Sequence, residues 1–216
     1  MLIDGRKVLY SMKDRKLVYP EIPTEGLVCY LDARGKTNND KHKGTLIDLS
    51  GNGNHGTLEN FNFTEESGYV VGGLQFDGVD DTMSYSHNLK ETGPRTIFMD
   101  IELEQSAKEQ GISITLPFGL TVNRANDSIY NLWRASFFNK EMLKGAHKFV
   151  ITIESTVETG KMYYEGNVIT NIPQGDIGSY HYDPKLADRD GKKILNRAML
   201  WNRVLTEQEI TKLIEG

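Results

Sequence analysis

Cysteine is nearly absent from this 216-residue chain. Cys29 stands alone, so no intrachain disulfide forms and the fold has to be held by its core. It lies in the apolar run Leu27-Val28-Cys29-Tyr30-Leu31, which predicts burial as a small hydrophobe and lacks the accessible, electropositive setting of a thiol nucleophile. No apolar run reaches membrane-spanning length, so no membrane insertion is expected. The opening Met1-Leu2-Ile3-Asp4-Gly5-Arg6-Lys7 lacks the apolar stretch of an export signal. Positive charge is in deficit, with 25 Lys and Arg against 30 Asp and Glu and a net charge of −5. Without a basic run, the electrostatic footprint of a nucleic-acid binder is missing. Also missing are a G-x-S-x-G elbow, an H-E-x-x-H helix and a Walker loop. His42, His87, His147 and His181 are scattered without metal-ligand spacing.

What is present suits a packed β domain. Apolar residues make up 38% and charged residues 25%, enough core for one large domain or two small ones. Short β-prone runs recur between turn residues, near 27–32, 45–49, 73–77, 82–86, 95–104, 111–116, 119–123, 128–134, 147–155, 161–165 and 194–203. Ile97, Met99, Ile101 and Leu103 alternate with Phe98, Asp100, Glu102 and Glu104, the pattern of an antiparallel strand with one buried and one solvated face. Phe149, Ile151 and Ile153 repeat it. Such spacing predicts a sandwich or jelly roll rather than βαβ units. A helix is expected at the end, where Thr206 and Glu209 make a capping box and Ile210, Leu213 and Ile214 share one face.

Residues 1–25 read differently. Val8–Met12 and Lys16–Tyr19 flank Lys13-Asp14-Arg15 as a small hairpin, and Pro20 and Pro23 follow as a stiff connector. The expected organisation is therefore an attachment segment at 1–25 and a single domain at 26–216.

The glycine-rich Asp48–Thr57, DLSGNGNHGT, contains G-x-G-x-x-G at Gly51, Gly53 and Gly56, with Asp77 at the distance of a ribose-binding acid. A dinucleotide fingerprint has to open a helix. The chain instead continues Leu58-Glu59-Asn60-Phe61-Asn62-Phe63-Thr64 toward Gly68, Gly72 and Gly73, which is no helical stripe. The loop is a turn.

Four segments in order carry a resemblance: Gly26–Asp32 (GLVCYLD), the loop Asp48–Thr57, Gly73–Asp81 (GLQFDGVDD), and Asn196–Ile210 (NRAMLWNRVLTEQEI). Together they resemble the laminin-G-like branch of the concanavalin A-like lectin/glucanase superfamily, over about 26–216 with a weaker middle. The resemblance implies an all-β, antiparallel two-sheet jelly-roll sandwich with a short C-terminal helix, here extended by the small N-terminal hairpin. Many members hold calcium at the sandwich rim, so Asp48, Asn52, Asp80 and Asp81 are candidate Ca²⁺ ligands, with structural turns as the alternative. His55 is expected to pin its loop by a hydrogen bond.

The superfamily also includes glucanases with carboxylates at every second strand residue, as at Asp100, Glu102 and Glu104. The order differs from the glucanase pattern and the motifs match the non-catalytic branch, so no catalysis is expected. Lectin-like sandwiches bind sugars on aromatic platforms, which makes Tyr130, Trp133, Tyr163 and Tyr180 candidate carbohydrate-binding residues, whereas Trp201 is expected in the core. Stand-alone domains of this kind with a short N-terminal segment resemble virion proteins of tailed bacteriophages: tail, baseplate, fibre or head decoration. The expected setting is thus a virion assembled in the host cytoplasm, joined to other virion proteins through residues 1–25 and possessing a cell-surface glycan as a possible ligand. A bacterial carbohydrate-binding module, secreted or at the cell surface, is the alternative, and a glycoside hydrolase the third reading.

Overall fold

The computed structural model describes residues 22–85, 93–103, 145–154, 160–164 and 192–216, and the strand backbones at 2–3, 6–7, 11–13, 16–18, 113–116, 120–123, 128–131, 136–137, 167–172 and 185–187. In the N-terminal segment, β1 (Leu2–Ile3) pairs with β2 (Arg6–Lys7) and β3 (Ser11–Lys13) with β4 (Lys16–Val18). The second of these is the hairpin that the sequence predicts around Asp14-Arg15.

The body opens with β5 (Leu27–Asp32), β6 (Thr45–Leu46), β7 (Gly56–Glu59), β8 (Gly68–Val70), β9 (Gly73–Phe76), β10 (Thr82–Tyr85) and β11 (Arg95–Leu103). A meander follows: β12 (Ser113–Leu116), β13 (Leu120–Asn123), β14 (Ser128–Asn131) and β15 (Ser136–Phe137). Then come β16 (Gly145–Ile153), β17 (Gly160–Tyr164), β18 (Asn167–Ile172), β19 (Lys185–Ala187), β20 (Lys193–Trp201) and helix α1 (Glu207–Glu215). The larger sheet runs β18-β17-β16-β11-β20-β9-β8, with β5 also paired to β20, and a smaller sheet runs β19-β10-β7-β6. Pairing throughout both is antiparallel.

β20 is the keystone of the larger sheet. One edge pairs with β11 along its length, while the other is shared, Lys193–Leu195 with β9 and Arg197–Trp201 with β5. Gly73 on β9 is required at that seam, because a Cβ there would stand 2.5 Å from the Leu195 carbonyl oxygen.

Alternation along the strands sorts their residues onto two faces. Ile97, Met99 and Ile101, with Phe149, Ile151, Leu74, Phe76, Leu58 and Met83, form the main core. The opposite face does not meet water as the sequence predicts. Phe98, Val150, Met199 and Trp201 are fully buried, and Tyr30 nearly so, beneath Leu205 and the Ile210/Leu213 face of α1. The expectation of a solvated face through Phe98 and Asp100 is therefore corrected, because a C-terminal helix remote in sequence covers it. Burial on both faces accounts for the nearly unbroken burial of β11.

α1 has nine residues, too few to stand alone, and its ends are individually tied. Thr206 and Glu209 complete the expected capping box. Arg203 grips Glu209 and, with the two Thr206 hydrogen bonds, holds that carboxyl down at about 2. At the other end Lys148 Nζ donates to the Ile214 carbonyl (2.7 Å), a cation at a helix C-terminus.

Candidate functional site

The loop 48–57 is built as a plug for a sheet edge. Among the described residues β5 pairs with one strand, β20, and its other edge, where Leu31 makes only an isolated bridge to Asp48, offers backbone groups with no strand to meet them. Side chains of the loop take the strand's place. The Tyr30 N–H donates to Asp48 Oδ1 (2.8 Å), and the Leu49 N–H donates to the Tyr30 carbonyl (2.7 Å). The Val28 carbonyl accepts from Ser50 Oγ (3.1 Å), Asn52 Nδ2 (3.0 Å) and Asn54 Nδ2 (2.9 Å). Asn52 Nδ2 also reaches the Leu27 carbonyl (2.8 Å). Asp48 braces the loop from within, accepting the Ser50 N–H and hydroxyl and the Asn54 N–H. Gly51 and Gly53 adopt φ of 90° and 78°, as expected of the turn. Gly56 is needed for another reason: a Cβ would lie 2.6 Å from Met83 Sδ on the neighbouring strand β10.

His55 does pin this loop, its Nδ1 accepting the Asp48 N–H at 3.0 Å. Cys29 lies beneath the loop, fully buried, and burial together with the Asp48 charge pushes its thiol up, the reverse of an activated nucleophile.

The Asp77–Asp81 turn is a separate structure. Asp77, Asp80 and Asp81 are the one acidic group among the described residues whose ligand atoms all lie within 4.8 Å of one another, and Asp48 is not in it. The four residues expected to share calcium are thus divided, Asp48 and Asn52 being committed to β5. Asp81 is fully buried and accepts Ser67 Oγ (2.9 Å) and the Asp77 N–H (2.8 Å). Asp77 Oδ1 accepts the Val79 N–H (2.8 Å) across Gly78. Burial, and after it the Asp77 and Asp80 charges, raise Asp81 to about 6 despite those two hydrogen bonds. The donor set suits a hard cation in type, but the turn already uses Asp77 and Asp81 to close itself.

Of the aromatic candidates, Tyr163 is 6% exposed and packed with Phe98, Val150 and Leu213, so its ring fills the helix-covered core and presents no open platform. The Tyr130 backbone lies on β14. Trp133 and Tyr180 lie outside the described residues, as does Glu104. Trp201 is core, as expected, and its indole N–H donates to the Pro23 carbonyl (2.7 Å).

The two described strand carboxylates stand in different settings. Asp100 is 8% exposed, and its Oδ2 accepts from Arg197 Nε (3.0 Å) and Nη2 (2.8 Å), its Oδ1 from Asn196 Nδ2 (2.9 Å). Glu102, two residues on, is exposed. Register extends the pair into a row across four strands: Asp32 opposite Arg197, Arg197 opposite Asp100, Asp100 opposite Lys148. Charge alternates along it, and Arg34 closes its outer end on Asp32 (2.8 Å). No short motif announces this row, because its members are 32, 100, 148 and 197 in the chain.

No family model matches the chain, and no curated protein matches it. Solved structures do. A Trypanosoma rangeli sialidase mutant displaying trans-sialidase activity aligns over 89% of this chain and 33% of its own, with a TM-score of 0.56 and 16% identity. The receptor-binding domain of botulinum neurotoxin mosaic serotype C/D aligns over 89% and 51%, with a TM-score of 0.61 and 14% identity. The botulinum neurotoxin serotype D binding domain gives 89% and 52%, 0.61 and 12%. The chain is an antiparallel β-sandwich. It spans about a third of the sialidase and half of the toxin domains, and at these identities the likeness is one of fold.

Proposed function

We propose that this sandwich is a non-catalytic recognition domain whose ligand is a glycan, carried in a tailed-bacteriophage virion through residues 1–25. The observation that carries the non-catalytic part is the engagement of Asp100 by Arg197 and Asn196. Glycoside hydrolysis needs two carboxyl groups facing one bond, about 5 Å apart for retention. Of the alternating strand acids, Asp100 is spent inside the sheet face and Glu102 stands in solvent. What supports the glycan part is a fold held in common with a sialidase and with toxin receptor-binding domains. The virion setting rests on the motif resemblance, and calcium at Asp77, Asp80 and Asp81 is part of the same proposal.

The test is a glycan array on the purified protein beside a reducing-end assay on β-glucans and sialosides. Binding without turnover is expected. Turnover that disappears in Glu102→Gln would refute the non-catalytic reading. Probing purified phage particles with antibody against the domain decides the setting, and a chain encoded among polysaccharide-utilisation genes would favour the bacterial module instead.

A further inference from the structure

We infer that Asn52 is a site of spontaneous deamidation, where the folded loop turns one of its own amides into an acid and so loosens the outer edge of β5. The inference goes beyond the glycan reading and does not rest on it. Asn52-Gly53 is the one Asn-Gly pair in the chain; every other asparagine is followed by a residue with a side chain. Asparagine is thermolabile because the next backbone nitrogen can attack its side-chain amide, and glycine has no side chain to obstruct that approach.

The chemistry needs no partner beyond water. The Gly53 nitrogen gives up its proton to solvent base and forms a bond to Asn52 Cγ. The Cγ–Nδ2 bond breaks, and Nδ2 takes up a proton and leaves as ammonia. Water then opens the cyclic imide at either carbonyl, leaving aspartate or isoaspartate at position 52.

The loop exposes this pair and shields its neighbour. Asn52 and Gly53 are both exposed, and Gly53, at φ of 78°, would have nothing within 4 Å of a Cβ, so water and base reach the reacting groups. Asn54 is the contrast within the same loop. It is buried, its N–H donates to Asp48 Oδ2 (2.9 Å) and its Nδ2 to the Val28 carbonyl (2.9 Å). Its attacking nitrogen would be that of His55, whose ring is itself held by the Asp48 N–H. Asn39, Asn60 and Asn62 are exposed, but Asp40, Phe61 and Phe63 follow them.

The amide that leaves is one that serves β5. Asn52 Nδ2 donates to the Leu27 carbonyl (2.8 Å), the Val28 carbonyl (3.0 Å) and Ser50 Oγ (3.1 Å). These contacts lie at an exposed loop, where local opening costs little, so they slow the reaction without stopping it. An ionised acid at position 52 has no N–H to give and sets its charge against two carbonyl oxygens. Isoaspartate also adds an atom to the backbone between Gly51 and Gly53, the two positions that shape the turn.

The experiment ages the folded whole chain in mildly alkaline buffer beside a sample unfolded in urea, and follows each asparagine by peptide mapping and mass spectrometry. In the folded sample Asn52 is expected to convert before any other asparagine, and faster as pH rises, because the attacking nitrogen has to lose its proton. Gly53→Ala is expected to slow conversion at least about tenfold. If that variant does not fold, the order of conversion in the native chain still decides. Conversion of Asn52 in urea alone, or of another asparagine first in the folded chain, would overturn the inference. The modified chain, separated by anion exchange on its added charge, is expected to melt below the unmodified one. Equal melting would overturn the link to the edge of β5.

Discussion

Two loops at the surface of this sandwich use polar side chains in opposite directions. In Asp48–Thr57 the Asp, Ser and Asn groups turn inward onto the edge of β5, and Asp48 has both oxygens filled by the chain itself. In 34–43 the backbone closes its own turns, and Lys41 and His42 are left exposed. The loop with the most recognisable sequence is thus scaffold that serves β5, whereas the loop without a motif closes mainly on its own backbone. Motif strength here measures how tightly a backbone constrains its side chains, which is a different quantity from function.

The comparison breaks most visibly at Asp48. Asp48→Ala strips the acceptor from four donors at a buried position and is expected to cost on the order of 4 kcal/mol, read by urea denaturation. Freeing the β5 edge should also produce self-association on size-exclusion chromatography. A variant that stays monomeric and loses under about 1 kcal/mol would show that the loop does not plug the edge.

A pH titration sharpens the contrast with the Asp77–Asp81 turn. The Asp81 carboxyl titrates near 6 in the folded chain, above its ordinary 3.8. Its contribution to stability is complete below about 3.8 and is lost as pH rises through 6. Glu209, held at about 2, works oppositely: its contribution is present above its ordinary 4.5 and is lost as pH falls toward 2. Between pH 4.5 and 6 the Asp81 slope should appear without that of Glu209, and Asp81→Asn should reduce it. Calcium bound at this turn would raise the melting temperature, with EDTA reversing the rise.

Asn52→Asp is subtler. It turns an amide donor into a carboxylate aimed at the Leu27 and Val28 carbonyls, an expected loss of about 1–2 kcal/mol that should shrink below the pKa of the new acid. At the other loop, Lys41→Glu should change stability by less than about 0.5 kcal/mol, since it touches no buried group. A large loss there would mean the basic loop is scaffold as well.

Much of the architecture was legible in local pattern. Alternation at 97–103 and 149–153 gave the central strands, Thr206 and Glu209 marked the helix, and His55 was expected to pin its loop, as it does. Strands escaped as well: Gly56–Glu59, Gly68–Val70, Ser136–Phe137 and Lys185–Ala187 are too brief for period-two patterning to show, and the six-residue Asn167–Ile172 was missed outright. Tyr163 looked like a platform because an aromatic residue reads the same under a helix as in water.

The amino-acid sequence by itself determined an antiparallel β-sandwich closed by a capped helix, since alternation, turn residues and capping are written within a few positions of one another. Only the tertiary structure decided which strand face is dry and which acids are spent. Those depend on what packs opposite: Arg197 reaches Asp100 across ninety-seven positions, and α1 buries Phe98 from the far end of the chain. Burial and electrostatics act through space, and the chain's order sets distance in space only after folding.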